Sequence, residues 1–244
     1  MNPVYESLEI VVTLRCNARC RNCIRLCNRQ DLGLDYSGLD ITEEQFALVL
    51  QQVQELPRAI GQRAFGVLCL TGGEPLLHPR LHRMLDAAIS LEHSCVDQVV
   101  VNSNRTLPIP LGMEPRVVHW WAVGAEKAAH HVAMLSDPAE RGERVTRASC
   151  THYRKNRIVV TSQGWTRCCA AEGYVRLLCR EDLILDHLPA TTKDWPDMDA
   201  VCAHCAFAAP TQIYERDCGA PVSAVFAAAA AQNLAGRAVR KRLA

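Results

Sequence analysis

The sequence predicts an α/β protein: a partial, open β/α barrel of parallel strands, then a small cysteine-rich C-terminal domain and a terminal helix. Three observations carry that expectation. Short β-branched runs alternate with amphipathic helical stretches, the pattern of parallel strands joined by right-handed crossovers. The alternation ends near Cys150, far short of the roughly 250 residues of a closed eight-fold barrel. Beyond it lie a hairpin, a Cys-x2-Cys pair and an alanine-rich tail. The expected divisions are 1–145 for the barrel, 146–220 for the cysteine-rich domain and 221–244 for the helix.

Leu8 to Leu14 alternates and is β-branched, so it reads as a strand running into Cys16. After the link "DLGLDYSGLD", Thr42 and Gln45 form a capping-box pattern opening a helix with the stripe Phe46, Val49, Leu50, Val53. "FGVLCLTGGEP" is a second buried strand ending in a glycine turn, and Pro79 opens a helix with Leu81, Leu85, Ala88 and Ile89 on one face. "DQVVVNSN" and "RVVHWWAVG" are the third and fourth strands, the latter followed by the helical "AEKAAHHVAML". Between them "RTLPIPLGMEP" holds three prolines, which forbid a normal crossover helix. "NRIVVTSQGWTRCC" reads as a hairpin turning at Gln163-Gly164, and the tail from Pro221 as a helix with a basic end suited to the helix dipole.

With 244 residues, 49% apolar and 22% charged, the chain has material for a sizeable core. A net charge of +1 offers nothing to draw nucleic acid. The N-terminus lacks the pattern of a signal peptide, and no apolar run is long enough to span a bilayer, so the expected location is the cytoplasm. There, thirteen cysteines point to metal or redox chemistry rather than disulfides.

Cys16, Cys20 and Cys23 follow the first strand as C-x3-C-x2-C, inside a sixteen-residue stretch, Leu14 to Arg29, that also holds Cys27 and five arginines. Three thiolates around one inorganic centre leave an open coordination position, the mark of a catalytic metal; a closed cubane would take a fourth ligand, for which Cys27 is the candidate. Gly72-Gly73-Glu74-Pro75 ends the next strand. Ligands of parallel β/α folds gather at the carboxyl ends of strands, so both features belong to one rim.

These two motifs resemble the radical S-adenosylmethionine superfamily. The resemblance implies a TIM-like partial barrel and a [4Fe–4S] cluster on Cys16, Cys20 and Cys23. The free iron would chelate S-adenosyl-L-methionine, whose reductive cleavage gives a 5′-deoxyadenosyl radical that abstracts hydrogen from an unreactive C–H bond. Gly72, Gly73, Glu74 and Pro75 would serve the methionine amino group. "VNSN", with Asn102, Ser103 and Asn104, corresponds to a segment that approaches the ribose or carboxylate, departing from the family where Asn104 replaces glycine. The resemblance names no catalytic acid or base.

Arg15, Arg19, Arg21, Arg25 and Arg29 read mainly as a solvated loop face. One or two would neutralise cluster and cofactor, or help dock an acidic electron donor such as flavodoxin or ferredoxin.

Cys150, Cys168 or Cys169, Cys202 and Cys205 form a second constellation suited to zinc or iron–sulfur. Beside the first motif it resembles the twitch domain, a shortened SPASM domain with one auxiliary [4Fe–4S] cluster. Cys150…Gly164…Cys169 fits the SPASM opening, while Cys168 is its rival because neighbouring strand residues face opposite ways. Cys69 and Cys95 read as core residues, Cys27, Cys179 and Cys218 as spare, and His204 as exposed or bonded to backbone. The expected substrate is a small natural-product intermediate or a peptide. The rivals are another radical reaction, such as peptide crosslinking or the ring contraction of 7-carboxy-7-deazaguanine synthases, and a non-catalytic zinc or iron–sulfur module.

Overall fold

The computed structural model describes residues 3–18, 20, 23–34, 36, 40–118, 135, 137–145, 147, 150–209 and 222–243. Six strands form one sheet: β1 (Tyr5–Thr13), β2 (Phe65–Gly72), β3 (Val96–Asn102), β4 (Val117–Val118), β5 (Arg157–Thr161) and β6 (Gly164–Thr166). Their order is β4-β3-β2-β1-β5-β6, all neighbours parallel except the β5/β6 hairpin. Among the described residues the sheet does not close, as expected of a partial barrel. The rest of the fourth predicted strand, from His119, and the helix predicted after it up to residue 134 lie outside the described residues.

The hairpin was expected in the second division, beyond residue 146. Its first strand nevertheless joins β1 directly, Ser7 opposite Arg157 and Ile10 opposite Val160, so the sheet runs across that division. A four-stranded β/α unit leaves β1 as an open edge with unpaired backbone groups, and β5 covers it. The strand order therefore reverses at β1. In open parallel sheets the crevice beyond the carboxyl ends at such a reversal is where ligands bind. The hairpin turns at Ser162-Gln163, one residue earlier than predicted, with Gly164 already paired to Thr161.

Alternation sorts the two faces of the sheet. Leu8, Ile10 and Val12 of β1 join Leu68, Leu70, Val99, Val101, Ile158 and Val160 in the main core. That core is covered by α1 (Glu43–Ile60) and α2 (Leu81–Ile89), which starts two residues after Pro79. The predicted stripe Phe46, Val49, Leu50, Val53 is buried there. The capping box is complete: Thr42 Oγ1 accepts the Gln45 N–H and Gln45 Oε1 accepts the Thr42 N–H. Thr42→Ala removes half of it and is expected to cost about 1 kcal/mol, read from the urea midpoint.

A second core gathers the cysteine-rich half, with α3 (Thr151–Arg154), α4 (Ala171–Leu177), α5 (Asp199–Cys202) and α6 (Ala224–Leu243). Leu26, Leu32 and Leu34, which follow the first cysteine motif, are buried in this core with Tyr174 and Phe226. α6 is tied down by Asn233, whose Nδ2 donates to the Leu177 carbonyl (3.1 Å) and whose Oδ1 accepts from the Cys179 thiol (2.9 Å). Among the described residues no helix is long and apolar enough to cross a membrane.

Candidate metal and cofactor site

The carboxyl ends of β1, β2 and β3 meet at one rim. A β-bulge between Val11 and Thr13 shifts the β1/β2 register so that Thr13 faces Gly72. The Gly73 N–H then donates to the Thr13 carbonyl and the Glu74 N–H to the Arg15 carbonyl, both at 2.8 Å. Glycine is required at both motif positions for different reasons. Gly72 has φ +149°, and a Cβ there would sit 2.0 Å from the Thr13 oxygen. A Cβ on Gly73 would fall 2.3 Å from the Arg15 oxygen and 2.9 Å from Cys16 Cβ. The sequence GG thus lets one strand end close onto the loop that carries Cys16.

Glu74 is 0% exposed. Its Oε1 accepts from Ser103 Oγ (2.9 Å) and from the Leu76 N–H (3.0 Å), the latter capping the short turn that starts at Pro75. Its Oε2 accepts from the Asn104 N–H (2.8 Å). The carboxylate therefore clamps the end of β3 to the end of β2. Asn104 Nδ2 donates to Asn17 Oδ1 (3.0 Å) and lies 4.0 Å from Cys16 Sγ. Where the family pattern has glycine at the position of Asn104, the left-handed backbone here falls on Arg105 (φ 55°). The Asn102 N–H donates to the buried Cys69 thiol, whose pKa burial pushes up.

Cys16, Cys20 and Cys23 are half-buried. Cys16 is pushed up to about 11, first by burial and then by Cys23, Cys20 and Glu74 nearby, against the Ala18 N–H. Cys23 is drawn down to about 6, chiefly by a hydrogen bond from the Cys27 thiol that outweighs burial, helped by the N–H groups of Cys27 and Arg25. Cys27 is buried, and that same hydrogen bond, with burial, pushes its own thiol up. Three soft thiol donors in mutual electrostatic contact, beside a glycine cradle, fit a thiolate-bound cluster. Among the described residues no three His, Cys, Asp or Glu side chains stand at metal-holding geometry.

The loop is shaped by residues that the motif does not contain. Leu26 (φ 51°) and Asn28 (φ 58°) take left-handed conformations, costly for leucine. Asn28 Nδ2 donates to the carbonyls of Cys16 (2.7 Å) and Ala18 (2.8 Å), and so holds the loop's two arms together. Arg25 is 3% exposed, not part of a solvated face. It pairs with Glu9 of β1, lies 3.7 Å from Glu172 of α4 and donates to the Cys169 carbonyl at 2.9 Å. Burial opposes its charge, but Glu9 and Glu172 hold its pKa above the ordinary arginine value. Arg15 is exposed and paired with Asp40, and Arg29 with Asp31; Arg19 and Arg21 lie outside the described residues.

The adjacent cysteines of the hairpin part company. Cys168 is buried in one cluster with Cys150 and Cys205, against which Cys202 packs. Cys202 is pushed up to about 12 by burial, then by Cys168 and Cys150. Cys205 is raised by burial, with Cys168, Cys202 and Cys150 adding. Cys169 instead packs with Val11, Leu14, Val159 and Cys27, 3.4 Å from His152 Nδ1. His204 is neither free nor backbone-bonded: its Nδ1 meets the buried Asp137 carboxylate at 2.7 Å. Cys69 and Cys95 are buried as expected, Cys179 is exposed, and Cys218 lies outside the described residues.

No protein-family model matches the chain. The chain is similar to a curated protein, the GTP 3′,8-cyclase of Trichormus variabilis (strain ATCC 29413 / PCC 7937), with 36% identity over 109 residues. That stretch is 45% of this chain, and the chain spans about 30% of the length of the cyclase. The similarity supports the resemblance to the radical S-adenosylmethionine superfamily that the two motifs carry.

Proposed function

We propose that this protein is a radical S-adenosylmethionine enzyme. Cys16, Cys20 and Cys23 would hold a [4Fe–4S] cluster with one iron open to S-adenosyl-L-methionine. Cys150, Cys168, Cys202 and Cys205 would hold an auxiliary [4Fe–4S] cluster. The substrate would be a small natural-product intermediate or a peptide, modified in the cytoplasm, with flavodoxin or ferredoxin as electron donor. Reductive cleavage of the sulfonium, and hydrogen abstraction by the fragment released, is chemistry that the bound groups supply.

This chain's residues position that chemistry. Gly72 and Gly73 bring the end of β2 onto the loop of Cys16. Glu74 fixes Ser103 and Asn104 so that the ends of β2 and β3 both lie beside Cys16. Asn28 and Arg25 hold the loop from behind. The observation that carries the reading is the approach of Gly73 to Arg15 and Cys16, which joins the two motifs in space. The similarity to a GTP 3′,8-cyclase favours a second reading, in which the substrate is a nucleotide that is cyclised.

The test is anaerobic reconstitution of the full chain, followed by iron, sulfide and 5′-deoxyadenosine assays. The wild type should cleave S-adenosylmethionine under reduction. Cys16/Cys20/Cys23→Ala should lose all cleavage yet keep about four irons, the content of one cubane. Cys168→Ala should lose the auxiliary irons and Cys169→Ala keep them. Iron-loaded wild type that never cleaves the cofactor would leave the non-catalytic module as the answer.

A further inference from the structure

The hairpin's far end opens on a cleft of about 580 Å³, lined by Arg147, Tyr153, Arg167, Lys193, Trp195 and Asp197 among others. It lies at the amino-terminal end of β1. Trp195 Nε1 donates to Tyr5 Oη (3.2 Å), and Asn156, which accepts from Arg167, donates to the Val4 carbonyl (3.1 Å). The cysteine loop leaves the other end of that nine-residue strand, about 26 Å away at the usual rise per residue. The cleft is thus remote from the rim where the first cysteine motif and GGEP meet. It adjoins the second cysteine group, since Arg167 precedes Cys168.

Arg167 is the unusual residue. Arg25 and Arg167 are the two arginines found buried among the described residues, at 3% and 5% exposure. Arg25 touches two carboxylates. Arg167 is in no ion pair among the described residues; one nitrogen, Nη2, reaches the neutral Asn156 Oδ1 at 2.7 Å, and Nη1 has no hydrogen-bond partner. The guanidinium carbon lies 5.0 Å from the Tyr153 ring centre and 5.9 Å from that of Trp195. Cation–π contact offsets only part of the cost of burying a charge. Arg147 at the same cleft is already paired with Asp197 (3.1 Å) and Asp199 (2.7 Å). Lys193 is exposed at the mouth and in no ion pair among the described residues.

A buried guanidinium short of an acceptor, behind a free ammonium, in a cleft of ligand size, is built to receive negative charge. We propose that this cleft binds a small oxyanion, a phosphate or carboxylate group, between Arg167 and Lys193. The site lies apart from the rim where the first cysteine motif and GGEP meet.

The experiment is calorimetric titration of the anaerobically reconstituted full chain with inorganic phosphate and, separately, with citrate, against sodium chloride at matched ionic strength. Saturable one-site binding of phosphate or citrate is expected, and the tighter of the two identifies the group recognised. Arg167→Gln should weaken it at least about tenfold, the usual worth of a charge-assisted bond. Lys193→Ala, a surface change that spares the fold, should weaken it by a smaller factor. No binding beyond chloride for either anion overturns the proposal, as does binding unaltered in Lys193→Ala and, where it folds, in Arg167→Gln.

Discussion

Gly73→Ala is expected to empty the first cysteine site while leaving the second loaded, and to destabilise the chain by about 2–5 kcal/mol. The added methyl would lie 2.3 Å from the Arg15 oxygen and 2.8 Å from its carbon. Both are backbone atoms, so no rotamer change relieves the contact, and the loop must retreat from β2. Retreat breaks the Glu74 N–H bond to the Arg15 carbonyl. It also pulls Cys16 from the position it shares with Asn104. One lost buried hydrogen bond plus one overpacked methyl gives the stated range. The measurements are the urea midpoint of the apoprotein and iron per chain after reconstitution. About four irons should remain of the wild-type content, the complement of the proposed auxiliary cluster. Unchanged midpoint and unchanged iron would show that the strand end and the cysteine loop do not bear on each other.

What the sequence made legible was local. The capping box at Thr42, the α1 stripe and the buried strands follow from spacing within one element, and all are found where spacing puts them. The reversal of strand order was not legible, because pairing of β5 with β1 joins residues about 150 positions apart and leaves no periodic trace. Arg25 hid among five arginines of one loop. Only the fold, by setting Glu9 and Glu172 beside it, separates it from half-exposed Arg15. Cys168 and Cys169 are likewise indistinguishable from spacing, since both satisfy it; the fold buries Cys168 with Cys150 and Cys205, and Cys169 with Val11, Leu14 and Cys27. Asn28 carried a faint signal, as asparagine tolerates the left-handed region better than most residues. Leu26 beside it carried none. His204 was misread because its partner, Asp137, is remote in sequence.

Arg25→Ala is expected to cost about 3–5 kcal/mol, whereas Arg15→Ala costs no more than about 1 kcal/mol. Both arginines sit in the same sixteen-residue stretch and both meet carboxylates, so burial chiefly decides the difference. Around Arg15 and Asp40 water screens the pair and solvates either partner when the other is gone. Removing Arg25 strands Glu172, itself buried, and Glu9 against the apolar underside of the sheet. Arg176 cannot compensate fully: it already donates to Glu172 and to the Arg25 carbonyl. Arg25 also donates to the Cys169 carbonyl, one residue past Cys168, so its loss should loosen both cysteine groups together. The reconstituted variant should therefore show reduced iron at both sites, unlike Gly73→Ala, which empties one. Arg25→Met with Glu9→Gln removes one charge of each sign and should recover part of the stability, because a buried pair costs less to delete than to break. A cost for Arg25→Ala as small as that for Arg15→Ala would mean that water reaches this network. The two cysteine groups would then be held by packing alone.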